Sequence, residues 1–302
     1  MNHTLFKQSA PKVRAAVRQR SIQAVLCAIV YVSAFQAHAA PNQALLDRGN
    51  YLVNGILTCG ACHTPRAPNG EADMRRQLSG GSQSWDENNY QVKGANITQD
   101  RESGIGKWSS AQLKHTLLTG VRPDGRQLAP VMPYGFYKAM TSADMDAVVA
   151  YIKTVPAFSN VVQAPVYSGP MDVRTPPGTK APMREAGFKD PVKLGFYLAS
   201  IGHCMECHTP SNKGGRDFKQ LGQGGQVFQG PFGISVSRNI TSDPTSGLGK
   251  WSDEQIKAAI TQGRHIDGSQ LKPPMSYSQY ATMTPTDLSA IVAYLRTVPA
   301  KN

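Results

Sequence analysis

The pentapeptides CGACH at 59–63 and CMECH at 204–208 decide how this chain is read. Cys-x-x-Cys-His occurs twice, 145 residues apart, in a chain of 302. Working outward, each copy lies in the same order of landmarks. NITQDRESGIGKWS at 96–109 matches NITSDPTSGLGKWS at 239–252, and AVVAYIKTVPA at 147–157 matches AIVAYLRTVPA at 290–300. Upstream, Gly49-x-Tyr51-Leu52 matches Gly195-x-Tyr197-Leu198. Self-similarity of this kind marks a duplicated structural unit.

The N-terminus stands apart. Residues 1–20 carry Lys7, Lys12, Arg14, Arg18 and Arg20 with no acid, an apolar run from Ile22 to Phe35 follows, and Ala37-His38-Ala39 closes it. This is the layout of a secretory signal peptide over 1–39, too short in its apolar part for the ~20 residues of a membrane span. Export places the chain in an oxidising compartment, the periplasm. Loss of the five leader bases takes the formal charge from +12 to +7, and loss of Cys27 leaves Cys59, Cys62, Cys204 and Cys207 as the only cysteines. The remaining Lys and Arg are scattered, and export argues further against a nucleic-acid partner. A mild positive charge suits encounters with acidic protein surfaces instead.

The expected domains are 40–157 and 188–302, separated by a Pro/Gly-rich linker over 158–187 that opposes regular structure. Within each domain the pattern reads as helices with long loops. A first helix is expected over 43–57. Ser109-x-x-Gln112 and Ser252-x-x-Gln255 are capping boxes, with Gly120 and Gly263 as C-caps. Closing helices start near Thr141 and Thr284. Alternating strand patterns are scarce, so the expected class is all-α.

Four chemistries use Cys-x-x-Cys. A zinc site from two such pairs usually has them closer in sequence; a thioredoxin-type motif wants a βαβ context and no His. A disulfide across two residues leaves the His unexplained. Covalent haem c uses all five positions: two thiols add to the porphyrin vinyl groups and the adjacent His ligates iron. Two haem groups are therefore expected, held by Cys59 and Cys62 with His63, and by Cys204 and Cys207 with His208. A second axial ligand should recur in both copies. His115 aligns with Ala258 and His265 with Arg122, so neither histidine recurs. Met132 and Met275 recur at an offset of 143, as do Met140 and Met283. The first pair lies in Pro-bounded loops suited to presenting a sulfur; the second precedes the closing helices, where a hydrophobic staple is the ordinary role. His203 reads as a solvated neighbour of Cys204. Trp108 and Trp251 are open between a hydrogen bond to a haem propionate and a core aromatic seating the next helix; Tyr134 and Tyr277 share that ambiguity. Asn96 and Asn239 read as loop caps.

Taken together, Cys-x-x-Cys-His, Asn-Ile-Thr, Gly-x-Gly-Lys-Trp-Ser, Met-Pro-Tyr at the first copy and the closing Ala-Tyr-(Ile/Leu)-(Lys/Arg)-Thr-Val-Pro resemble the class I cytochrome c domains of the multihaem cytochrome subunits of bacterial alcohol and gluconate dehydrogenases. The resemblance implies two tandem class I cytochrome c domains and electron relay from a periplasmic dehydrogenase to a respiratory acceptor. Those subunits typically have three such domains and a membrane-associating segment. Two domains point to a soluble dihaem carrier, or to the subunit of a molybdenum or flavin dehydrogenase, membrane-peripheral through its partner. No catalytic site of its own is expected. The alternative is a dihaem enzyme of the peroxidase or thiosulfate-oxidising type; a peroxidase needs a haem that opens, and a thiolate-ligated haem needs a cysteine the exported chain lacks.

Overall fold

The computed structural model describes residue 1 and residues 42–302, except 69, 82–83, 88, 170, 172–174, 213–214 and 231. Apart from Met1, the expected signal peptide lies outside the described residues.

Each repeat is organised by a crossing of its first and last long helices. In repeat one, α1 (Gln43–Asn54) crosses α5 (Ser142–Ile152); in repeat two, α6 (Pro191–Ile201) crosses α10 (Pro285–Leu295). The sequence sets both crossings through a glycine. A Cβ on Gly49 would fall 2.1 Å from the Ala147 carbonyl oxygen, and one on Gly195 would fall 1.8 Å from that of Ala290. Only a hydrogen side chain lets the backbones approach so closely. Gly195→Ala is expected to destabilise repeat two by about 1–3 kcal/mol through overpacking. Gly187→Ala, whose added carbon meets only a lysine side chain, should stay within about 0.5 kcal/mol. Thermal melts of the two variants check the contrast.

The helix boundaries follow local chemistry. Ser109 and Gln112 form a reciprocal capping box at the start of α3 (Ser110–Thr119), and Ser252 and Gln255 repeat it at α8 (Asp253–Gln262). Gly120 and Gly263 end these helices in the left-handed conformation. Thr141 and Thr284 cap α5 and α10 through the amides of Asp144 and Asp287. The first helix stops at Asn54, three residues short of the expected end. Short helices hold the pentapeptides, α2 (Cys59–His63) and α7 (Cys204–Cys207), and follow the Met loops, α4 (Tyr134–Tyr137) and α9 (Tyr277–Tyr280).

The expectation of an all-α chain is corrected by three small antiparallel sheets among the described residues. Strands β1 (Ser84–Glu87) and β2 (Tyr90–Lys93) form a hairpin in repeat one. Strands β6 (Val227–Gly230) and β7 (Gly233–Val236) form its counterpart at an offset of 143. A minor pair, β4 (Ser211–Asn212) with β5 (Gly215–Arg216), adds to repeat two. Four-residue strands with one solvated face carry too little alternation to stand out. The 158–187 segment, expected to lack regular structure, supplies β3 (Val166–Tyr167), which pairs with β2. It also hydrogen-bonds to repeat one, since Asn160 Nδ2 donates to the Ser79 carbonyl at 2.8 Å.

The two repeats pack by exchanging one contact. Tyr51 of α1 donates its hydroxyl to Asp287 of α10 at 2.6 Å and accepts from the Thr284 amide. Tyr197 of α6 donates to Asp144 of α5 at 2.5 Å and accepts from the Thr141 amide. Repeat one adds a bidentate pair from Arg48 to Asp144, at 2.7 and 2.8 Å; Leu194 stands at the equivalent place in repeat two. Between these clamps a continuous apolar core includes Leu52, Ile56, Val148, Leu198, Ile201 and Ile291.

Candidate functional site

The two pentapeptides meet one cleft. Each begins after a residue in the left-handed conformation, Thr58 (φ 49°) and its counterpart His203 (φ 45°). This sharp turn brings the chain from the end of the first helix straight into the Cys helix. The turns of the two repeats abut: a Cβ on Gly202 would come within 2.7 Å of Ile56 Cδ1. The cleft, of about 2060 Å³, is lined by Cys62 and Thr58 from repeat one and by Cys204, Cys207, His208 and Met275 from repeat two.

The histidines are held alike. His63 Nδ1 lies 2.7 Å from the Ala95 carbonyl, and His208 Nδ1 lies 2.7 Å from the Arg238 carbonyl. A carbonyl can only accept, so Nδ1 carries the proton in each ring and Nε2 keeps its lone pair. Such a bond fixes tautomer and ring orientation in metal-ligating histidines. Burial lowers the pKa of both rings, which keeps them neutral and able to ligate. The carbonyls sit just before Asn96 and Asn239, whose own side chains fix that loop. Asn96 Oδ1 accepts from the Thr98 amide at 3.0 Å and Asn239 Oδ1 from the Thr241 amide at 2.9 Å. The expected loop caps thus brace the histidine bonds.

None of the four thiols is in a disulfide. Burial pushes Cys59 and Cys207 up to about 12 and Cys62 and Cys204 to about 11. Thiols held protonated in this way are poor nucleophiles and poor thiolate ligands. Among the described residues no group of three or more His, Cys, Asp or Glu is placed to hold a metal ion. The donor set suits a large apolar macrocycle: two thiols on each Cys helix, with Cys62, Cys204 and Cys207 at the cleft wall, and beside each pair an imidazole oriented through Nδ1 so that Nε2 keeps its lone pair.

The recurring methionines differ in setting. Met140 and Met283 are 2% and 7% exposed, packed in the core ahead of α5 and α10. Met132 and Met275 are only partly buried, at the core edge, and Met275 lines the cleft. Trp108 lies under the Arg122 guanidinium at 4.9 Å, and Trp251 meets His265 edge-on at 5.0 Å. Both indoles are half-buried, each followed by the cap of α3 or α8. Tyr134 donates to the Leu128 carbonyl, and Tyr277 makes the matching bond to Leu271.

His203 corrects the sequence reading. It is half-buried rather than freely solvated beside Cys204. Its ring lines the cleft and faces the Leu57 carbonyl of the other repeat, and burial lowers its pKa to about 4. Sequence adjacency to a cysteine says nothing of side-chain direction, so this placement was missed. A second pair also escaped notice. Lys153 and Arg296, in the closing helix motifs, reach back to the Trp108 and Trp251 carbonyls. Their recurrence at an offset of 143 was the available signal.

Comparisons with known proteins agree with this geometry. A cytochrome c family model matches residues 46–156 and 192–299. The fructose dehydrogenase cytochrome subunit of Gluconobacter japonicus is 32% identical over 279 residues, covering 87% of this chain and 54% of that protein. The cytochrome c subunit of the quinone-dependent alcohol dehydrogenase of Gluconacetobacter polyoxogenes is 31% identical, over 85% of this chain and 57% of its own. The chain thus spans a little over half the length of these relatives. A diheme cytochrome c-type protein of Cereibacter sphaeroides is 28% identical, with 80% and 82% covered. With both repeats matched and both pentapeptides set on the same cleft, the chain belongs to the cytochrome c family.

Proposed function

We propose that this chain is a periplasmic dihaem cytochrome c that carries electrons from a dehydrogenase toward a respiratory acceptor and is membrane-peripheral through its partner. The observation that carries this reading is the recurrence, in both repeats, of a Cys-x-x-Cys-His turn whose histidine is locked through Nδ1 with Nε2 free. Cys59 and Cys62, and Cys204 and Cys207, would hold the two porphyrins as thioethers, and His63 and His208 would supply one axial nitrogen each. Met132 and Met275 are the second ligands in this reading, since Met140 and Met283 fill core space. Haem with two axial ligands supplies one-electron exchange without binding a substrate. The chain's own part is to hold the ligand rings, to exclude water with the apolar cleft, and to keep the two attachment turns in contact. The relatives named for dehydrogenase subunits support the donor class. Among the described residues no helix is long and apolar enough to cross a membrane.

Spectra of haem-loaded variants test the ligands. Met132→Ala is expected to remove the weak long-wavelength sulfur-to-iron absorption for one of two haem groups, and Met140→Ala to leave it intact. The reverse result would reassign the ligand. The electron-carrier reading is overturned by rapid carbon monoxide binding to the reduced protein, because a filled axial position admits no gas.

A further inference from the structure

A second pocket, of about 480 Å³, opens in repeat one. Arg126, Gln127 and Tyr134 line it from either side of Met132, Lys138 from the residue after α4, and Tyr167 and Met171 from the segment between the repeats. Met171 is the only lining residue it shares with the large cleft, and no cysteine, histidine or recurring methionine lines it. Among the described residues its wall holds two cations, Arg126 and Lys138, and no acid. Asp124, the acid closest in sequence to Arg126, is exposed. It pairs with Arg122 at 3.2 Å and accepts from the Arg126 amide, not the guanidinium, at 3.1 Å. Among the described residues only two buried side-chain nitrogen or oxygen atoms lack a hydrogen-bond partner, and one of them is Arg126 Nε. A buried charged donor with no acceptor is destabilising, so a pocket lined by one calls for an anion.

Repeat two shows that these cations are not needed to build the fold. Gln127 donates to the Thr119 carbonyl at 3.2 Å and Tyr134 to the Leu128 carbonyl, and Gln270 and Tyr277 make the same bonds to the Gln262 and Leu271 carbonyls. The frame of the pocket thus recurs. Its charges do not: Ser269 and Ala281 stand where repeat one has Arg126 and Lys138. The third wall is also particular to repeat one. β3 pairs Tyr167 with Tyr90, and the Ser168 amide donates to the Asn89 carbonyl at 3.0 Å. Among the described residues the second hairpin has no third strand. The frame already engages the Gln127 amide nitrogen and the Tyr134 hydroxyl. The guanidinium, the Lys138 ammonium and the Tyr167 hydroxyl are left to meet a ligand.

We infer that this pocket binds an oxyanion, carboxylate or phosphate, carried by a small molecule, with Arg126 and Lys138 as its charge partners and Tyr167 as a hydroxyl donor. A guanidinium forks onto two oxygens of such a group, and an ammonium adds a point charge. Met171 offers the carbon skeleton an apolar flank. The volume falls within the roughly 300–1,000 Å³ of small-molecule sites. The inference does not rest on the electron-carrier reading, since no electron is transferred and no covalent bond forms or breaks at this site.

Calorimetric titration of the full, haem-loaded chain with citrate, and separately with inorganic phosphate, tests this. The wild-type protein is expected to bind at least one of the two. Arg126→Ser with Lys138→Ala, which writes in the residues of repeat two, should weaken that binding more than about tenfold, because each charge-assisted hydrogen bond lost is worth at least that much. Lys189→Ala with Lys193→Ala removes the same formal charge from exposed positions and should leave the affinity unchanged. Absence of binding to the wild-type protein overturns the inference; a porphyrin carboxylate already seated in the pocket would give that result. Equal weakening in the two double variants also overturns it, since it would mean general attraction to a basic protein. Capture by phosphatidylglycerol vesicles, with neither small anion bound, would place the oxyanion on a lipid and overturn the small-molecule assignment. None of these outcomes bears on the haem count or the iron ligands, so this site and the carrier reading fail separately.

Discussion

Replacing Cys204 and Cys207 together by alanine is expected to give a chain lighter by one haem whose second repeat fails to fold. The two attachment turns both line a cleft of about 2060 Å³. Interiors tolerate few voids larger than a water. At roughly 24 cal/mol per Å³, leaving even about 300 Å³ unfilled costs about 7 kcal/mol, a large part of a domain's total stability of about 5–15 kcal/mol. Intact-mass measurement reads the haem count, and limited proteolysis reads the fold of residues 188–302. A protease-resistant, fully helical second repeat lacking haem would show that its core closes without the ring.

The next largest effect is expected at Asp144. Its carboxylate accepts two bonds from Arg48 and one from Tyr197, while its amide is capped by Thr141. Tyr197 is fully buried, and Asp144 is 6% exposed. Removing the acid strands a buried hydroxyl and a guanidinium at once. Losing a partner of this kind costs about 3–5 kcal/mol when burial is complete, and Arg48 is 39% exposed in its side chain. Asp144→Ala is therefore expected to lose about 2–4 kcal/mol, read as a fall in Tm of the haem-loaded protein. Asp287→Ala, at the reciprocal place but bonded to a half-buried Tyr51 with no arginine, should lose about 1 kcal/mol. Equal losses would mean that the arginine and the burial contribute nothing.

These two cases mark what could be read from the sequence. The Cys-x-x-Cys-His turns, the repeat, the capping boxes and the closing helices were legible because each is a local pattern of fixed spacing. The recurrence of Tyr51 and Tyr197 was visible too, beside the helix glycines. That each tyrosine bonds the other repeat's aspartate was not visible, because it follows from how two surfaces dock. The hairpins were missed for a different reason. Val227-Phe-Gln-Gly and Gly-Ile-Ser-Val236 each span only two periods of alternation, and Ser84–Glu87 is mostly polar. Their pairing depends on a partner strand, and β3 is only two residues, Val166-Tyr167, inside a proline-rich stretch, too short to mark a strand. His203 shows the same limit at one residue: its neighbour in the chain was known, its neighbour in space was not.

The exchanged tyrosine–aspartate clamps have a consequence for how the protein behaves at low abundance. A reciprocal contact, in which the same two surface elements serve on both sides, is the geometry of a symmetric homodimer. Here both halves belong to one polypeptide, so their association is intramolecular and its strength is set by the tether. Dilution cannot separate them, and the spacing of the two attachment turns is the same at a nanomolar as at a millimolar concentration. Each half is also free to mutate alone, as Arg48 facing Leu194 in the alignment already records.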